Sequence, residues 1–142
     1  MNYLKMNPKE ILKSWDEYFN NANLPCILNL YDTRSILIPT FSSEILSDKR
    51  QIKEYFVNVI KEQKGSVEIQ YNSIYEQKIG ENIYLLNGNY IFKLKRKKNI
   101  HARFTFLINP LSDNPIKHHH SSRIFNNWLY LQSLGDLEHK RN

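Results

Sequence analysis

Residues 118–122 are three histidines followed by two serines, the most unusual string in the sequence. If this segment forms a β-strand, His118 and His120 lie on one face about 7 Å apart, because alternate side chains point to the same side. Two imidazoles at that spacing can bind a metal ion, and His101 in a neighbouring segment could supply the third ligand of a stable site. No carboxylate stands in the adjacent predicted strands to complete such a site, so we expect no metal here.

Arg103 is the second residue whose type suggests chemistry. It lies in the alternating segment 100–108, and we expect its face to point toward Trp15 and Tyr18 on the first helix. A guanidinium in that place needs an acceptor, because an unpaired buried charge is strongly unfavourable. It could form a structural salt bridge, or it could be the floor of a pocket that binds a small carboxylate or other anion through a forked contact. The acidic candidates for the salt bridge are Asp16, Glu17 and Asp32.

The positive charge of the chain is concentrated in one short stretch. The formal net charge is +6, with 20 Lys and Arg against 14 Asp and Glu, and five of the basic residues fall within positions 93–98. The rest of the chain is therefore close to neutral. Lysines in a turn between two long strands usually keep the hairpin soluble and protect the sheet edge. We therefore do not expect nucleic acid as a partner.

Composition excludes several further classes of protein. The 142 residues, 41% of them hydrophobic, are enough for one compact domain. The chain has a single cysteine, its first residues lack the apolar core of a signal peptide, and no window approaches eighteen apolar residues. We therefore expect a cytoplasmic protein without a membrane partner. There is no glycine-rich phosphate loop, no G-x-S-x-G motif and no zinc-type cysteine spacing, and we expect no cofactor.

Three helices are predicted in the first half of the chain. Asn7 and Asp48 are suitable N-caps, each with a Glu or Gln three positions later, and apolar residues follow both at helical spacing. A short second helix is predicted between them, with Tyr31 among its inward-facing residues. The apolar positions are Ile11, Leu12, Trp15, Tyr18 and Phe19 in the first helix and Ile52, Tyr55, Phe56, Val59 and Ile60 in the third.

The second half of the chain is dominated by alternating apolar residues, which predict strands. Helices first and strands afterwards indicate an α+β fold, with a curved, mostly antiparallel sheet and the three helices packed on its concave face. Both faces of the segment 100–108 carry apolar side chains, and the helices can cover only one of them. A second copy of the chain is therefore expected on the other face. The predicted strands are residues 35–38, 67–79, 83–94, 100–108 and 115–122.

Residues 1–122 form the predicted domain, and residues 123–142 form a C-terminal extension. Phe125, Trp128 and Leu131 give the extension a weakly amphipathic pattern that is compatible with a helix. Three roles remain open for it: docking on its own domain, covering the mouth of a pocket, or contacting a partner.

Two strings, Ala-Arg-Phe-Thr-Phe at 102–106 and His-His-His-Ser-Ser at 118–122, resemble those of a known family. They are similar to the association (hub) domain of calcium/calmodulin-dependent protein kinase II. They are closer to stand-alone bacterial proteins related to that hub within the NTF2-like, SnoaL-like superfamily. The resemblance covers residues 8–122. Its other elements are Trp15, residues 30–32, residues 38–40, a helix around 52–60 and residues 88–90.

This resemblance implies a cone-shaped fold in which helices and a curved sheet enclose a deep pocket, while the convex sheet face forms a homodimer or a larger homo-oligomer. In the kinase hubs, an arginine at the position of Arg103 lines the pocket and can meet small carboxylates. A second hub arginine follows the last histidine, where this sequence has Ser121. We therefore predict a non-catalytic domain that binds a small anionic or organic ligand or supports assembly. The predicted ligand-binding residues are Trp15, Tyr18, Tyr90, Arg103, Thr105, His119 and Ser121.

The same superfamily includes ketosteroid isomerase, SnoaL-type cyclases and scytalone dehydratase, so the resemblance also allows a small cofactor-free enzyme. An isomerase of this kind needs a pocket carboxylate near the end of the first strand, and residues 36–40 contain no acid. In this alternative Tyr18 donates a hydrogen bond to an oxyanion and His119 acts as the general base.

Overall fold

The structure is a computed structural model that describes residues 7–125. These residues form three α-helices and one five-stranded sheet. The helices are α1 (Pro8–Asn20), α2 (Leu24–Leu30) and α3 (Lys49–Phe56), and α3 continues into a π-helical segment, Val57–Glu62. The strands are β1 (Tyr31–Ile38), β2 (Ser66–Gly80), β3 (Ile83–Lys93), β4 (Ile100–Ile108) and β5 (Ile116–Arg123). Most of the predicted extension, residues 126–142, lies outside the described residues.

The predicted capping residues begin their helices. Asn7 Oδ1 accepts a hydrogen bond from the backbone N–H of Glu10 at 3.0 Å, and Asp48 Oδ1 accepts one from the backbone N–H of Gln51 at 2.8 Å. Each bond satisfies an amide that has no partner within the helix. None of the helices within residues 7–125 has the length and apolarity needed to cross a membrane.

The strand order in the sheet is β1-β5-β4-β3-β2. The last strand pairs antiparallel with β4, as predicted, and it also pairs in parallel with β1. β1 starts at Tyr31, earlier than the predicted start at Ser35, because Tyr31 pairs with Ile116 on β5. Tyr31 therefore belongs to the sheet and not to the preceding helix.

The helices cover the sheet face that contains the even-numbered residues of β4. Phe104 and Phe106 are at most 3% exposed, and the ring of Trp15 on α1 lies 5.5 Å from that of Phe106. Arg103 is exposed on the opposite side, which we call the open face. The expectation that Arg103 points toward Trp15 and Tyr18 is therefore wrong. Alternation determines which side chains share a face, but burying two phenylalanines is more favourable than burying a guanidinium.

Candidate functional site

A chain of hydrogen bonds runs through the interior between α1 and the sheet. Trp15 Nε1 donates to Tyr31 Oη at 3.0 Å, and Tyr31 Oη lies 2.8 Å from His119 Nδ1. On the other side of the imidazole, Tyr90 Oη lies 3.1 Å from His119 Nε2 and donates to Ser121 Oγ at 2.5 Å. These five side chains are at most 5% exposed. Three strands and one helix are thus joined by polar contacts inside an aromatic core.

The two ends of this buried chain determine where its hydrogens lie. The indole N–H of Trp15 can only donate, so Tyr31 Oη accepts from it and gives its own hydrogen to His119. At the other end Tyr90 gives its hydrogen to Ser121, so its oxygen accepts from His119. Both constraints select the same tautomer, in which Nδ1 of His119 accepts and Nε2 carries the hydrogen.

Burial keeps His119 uncharged. Desolvation lowers the pKa of His119 well below its ordinary value, and its two histidine neighbours in β5 lower it further. Desolvation also raises the pKa of Tyr31 and of Tyr90, so both phenols keep their hydrogens. The ring of Phe106 stacks on the imidazole, with 3.8 Å between centroids and 19° between planes. His119 is therefore neutral, and both of its ring nitrogens are hydrogen-bonded.

Little space remains among these side chains. The cavity beside His119 has a volume of about 10 Å³ and is walled in part by Trp15, Tyr55 and Phe92. A cavity of that size holds at most one water molecule. The interior around His119 therefore has no room for an organic ligand.

The structure brings together four of the seven residues predicted to bind a ligand and separates the other three. Tyr18 is half-buried at the edge of the core, and the hydrogen-bond partners of His119 are tyrosines of β1 and β3. The predicted pairing of Tyr18 with His119 is thus not formed. Arg103 and Thr105 lie on the open face. The four residues that do surround the buried cluster are Trp15, Tyr90, His119 and Ser121.

Two members of the cluster are not identified from the sequence. Tyr31 is predicted to face inward from a helix, but as the first residue of β1 it reaches His119 across the parallel pairing with β5. Thr40 follows β1, and its hydroxyl is hydrogen-bonded to Ser121 Oγ. The available signal is the position of Thr40 just after the proline that ends the strand.

A groove of about 570 Å³ crosses the open face of the sheet. Arg103 lies in it between Asn89 on β3 and Ser122 on β5, its two register partners. Thr105 is two residues further along β4, on the same face, and its Oγ1 donates a hydrogen bond to Asn87 Oδ1 at 2.9 Å. Most of the residues that line the groove are polar, and with Arg103 they include Tyr75, Asn87, Asn89, Thr105, His120 and Ser122.

The guanidinium of Arg103 has no acidic partner within residues 7–125. Asp32 is paired with Lys117, whose Nζ lies 2.7 Å from Asp32 Oδ2. Asp16 and Glu17 belong to α1, which packs on the opposite side of the sheet. None of the three acids considered from the sequence forms the structural salt bridge, and the cation is available to a ligand.

The histidines of β5 are divided between the two faces. His118 and His120 lie on the open face, opposite Leu107 and Thr105 of β4. In the part of the chain that the structure describes, no three His, Cys, Asp or Glu side chains are grouped closely enough to hold a metal ion.

Comparison of sequences assigns no family, since no protein-family model and no curated protein matches the chain. Comparison of structures finds clear neighbours. A Xanthomonas campestris protein described as a calcium/calmodulin-dependent protein kinase II association domain has a TM-score of 0.72 and 22% identity, covering 89% of this chain and 94% of its own.

Two further neighbours have the same architecture. An NTF-2 like protein of unknown function from Shewanella oneidensis has a TM-score of 0.65 and 19% identity, covering 80% of this chain and 94% of its own. A ketosteroid isomerase-like protein from Erwinia carotovora atroseptica has a TM-score of 0.66 and 14% identity, covering 88% and 99%. At these identities the likeness establishes the fold, and the chain has the NTF2-like α+β fold that its motifs predict.

Proposed function

We propose that the chain is a non-catalytic domain that forms a homodimer through its open face and binds a small carboxylate or other small anion in the groove around Arg103. The observation that carries this proposal is the exposed guanidinium, without an acidic partner within residues 7–125, in a groove of about 570 Å³. The cavity beside His119, at about 10 Å³, offers no comparable space.

The groove has the donors that a carboxylate needs. A guanidinium presents two parallel N–H groups to the two carboxylate oxygens, and the Ser122 hydroxyl and His120 imidazole stand on the adjacent strand. Glu68, also on the open face, is engaged by Lys93, whose Nζ lies 3.7 Å from its carboxylate. A small anion therefore meets a positive, hydrogen-bonding surface on which no acid of residues 7–125 is paired with Arg103.

A second copy of the chain is the partner that best suits this face. Leu85 and Leu107 are register partners that remain half-exposed on it, and Tyr75 at the groove rim is 76% exposed. Aromatic side chains and arginine, both present on this face, are enriched in protein interfaces. The Xanthomonas campestris neighbour is described as an association domain, which also supports assembly.

Dimerisation and anion binding are expected to reinforce each other. Packing two open faces together removes Arg103 of each copy from water, and an unpaired buried cation is strongly unfavourable. A bound anion supplies the missing charge. By linkage, an anion that prefers the dimer shifts the association equilibrium toward it.

Sedimentation equilibrium at micromolar concentration, with and without malonate, tests the proposal. We expect a dimer whose dissociation constant decreases on adding malonate, and we expect Arg103→Gln to abolish the malonate effect. Lys97→Gln is the matched control, because it makes the same charge change in the β3–β4 turn, away from the groove. A monomer under all conditions would overturn the dimer, and a malonate effect that survives in Arg103→Gln would overturn the anion site.

The acid–base alternative is not supported by the geometry of the described residues. Both nitrogens of His119 are hydrogen-bonded to tyrosines, and Tyr18 is not one of them. The neutral ring also lies beside a cavity too small for a substrate.

A further inference from the structure

A second cavity, separate from the groove, lies between α2 and α3 at the start of β1. Its volume is about 140 Å³, and it is lined by Leu28, Tyr31, Lys49, Ile52 and Lys53. Leu28 comes from α2, and Lys49, Ile52 and Lys53 all come from α3. The proposed anion groove is on the other side of the sheet, so the two sites can be tested independently.

The whole cavity is close in volume to apolar cavities that accept a benzene ring. Its lining consists of Leu28, the stems of Lys49 and Lys53, and the small exposed parts of Ile52 and Tyr31, which are at most 2% exposed. The ring of Tyr31 is held in place by the bonds of its hydroxyl to Trp15 and His119. A wall that is already ordered loses little conformational entropy when a ligand packs against it.

The charged part of the cavity consists of two lysines. Lys49 and Lys53 are four residues apart on α3, so they lie on the same side of the helix. Neither forms a salt bridge among the described residues. Glu54 pairs with Arg50 at 3.0 Å, and Asp48 caps the helix. The long lysine stems can follow the apolar wall while their amines stay at the mouth.

We propose that this cavity binds an aromatic monocarboxylate of about the size of benzoate. The ring packs mainly against Leu28 and the lysine stems, with the buried side chains of Ile52 and Tyr31 behind them, and the carboxylate lies between the amines of Lys49 and Lys53. An apolar enclosure of one ring with two unpaired cations at its mouth matches this class of ligand in both shape and charge. A neutral aromatic compound would make only the apolar contacts, and acetate would make only the contacts with the lysine amines.

NMR titration of the full chain with benzoate tests this inference, with benzamide and acetate as comparison ligands. We expect benzoate to shift the methyl resonances of Leu28 and Ile52 and to bind more tightly than either comparison ligand. The double variant Lys49→Gln/Lys53→Gln should weaken benzoate binding roughly three- to tenfold, the effect of two exposed charge contacts. It should leave benzamide binding unchanged.

The matched control is Lys9→Gln/Lys13→Gln, which removes two exposed lysines at the same spacing on α1. This variant should bind benzoate as the original chain does. Equal binding of benzoate and benzamide would overturn the inference, and so would unshifted methyl resonances of Leu28 and Ile52. Loss of benzoate binding in Arg103→Gln would place the ligand in the groove and also overturn it, whereas failure of the malonate test would leave it intact.

Discussion

Replacing Tyr31 by phenylalanine removes one oxygen atom from the middle of the buried hydrogen-bond chain. That oxygen accepts from Trp15 Nε1 at 3.0 Å, and its hydrogen is directed to His119 Nδ1 at 2.8 Å. Both groups are then left without a partner in an environment where they are at most 2% exposed. A change of tautomer cannot repair the loss, because Nδ1 has no partner in either form.

The expected cost follows from counting these groups. Each buried polar group that loses its partner costs about 1–3 kcal/mol, so the two groups together should lower the free energy of unfolding of Tyr31→Phe by roughly 2–6 kcal/mol. That is a large part of the roughly 5–15 kcal/mol typical of a domain. The aromatic ring is retained, so the loss of packing is small.

Urea unfolding followed by circular dichroism measures this loss. Tyr75→Phe is the matched control, since it removes a hydroxyl from a side chain that is 76% exposed and should change stability by less than about 0.5 kcal/mol. A loss below about 1 kcal/mol in Tyr31→Phe, with an unchanged urea dependence, would show that the buried chain does not contribute as the distances indicate.

Three further predictions concern stability. The pKa of His119 is lower in the folded than in the unfolded protein, so its contribution to the free energy of unfolding is present above the unfolded value of about 6.5 and is lost as the pH falls, by up to about 1.4 kcal/mol per pH unit. In urea unfolding between pH 7 and 5 (about the range where histidine titrates), the stability of His119→Phe should therefore depend less on pH than that of the original chain. An unchanged pH dependence would contradict this. A Cβ at Gly88 would lie 2.8 Å from the ring of Phe104, so Gly88→Ala should lower the free energy of unfolding by about 1–3 kcal/mol. A Cβ at Gly80 would have its nearest atom 3.7 Å away, so the melting temperature of Gly80→Ala should be nearly unchanged. Equal melting temperatures for the two variants would refute the close contact at Gly88. Asp48→Ala removes the cap of α3 and should cost about 1 kcal/mol in the same assay, with Asp48→Asn as the variant that retains most of the stability.

Local signals in the sequence were sufficient to predict most of the elements. Asn7 and Asp48 cap the helices they were expected to begin, and the segment 100–108 forms a strand with those bounds. These features depend on neighbours within a few residues, such as a cap and its amide or the alternation of side chains. The two strings at 102–106 and 118–122 also indicated the fold that the solved neighbours share.

The sites depended on longer-range geometry and were predicted less well. Trp15, Tyr90 and His119 were among the predicted ligand-binding residues. Tyr31 was predicted to face inward, but it reaches His119 only through the pairing of β1 with β5, which are far apart in the chain. Arg103 was assigned to the wrong face, because alternation shows which side chains of a strand share a face but not which face the helices cover.

The sequence by itself determined the order and type of the elements, the helix caps, and which residues of each strand share a face. The tertiary structure decided which face the helices cover, because that choice depends on the total apolar surface that all elements bury together. It thereby placed His119 in a closed aromatic interior and Arg103 in an open groove.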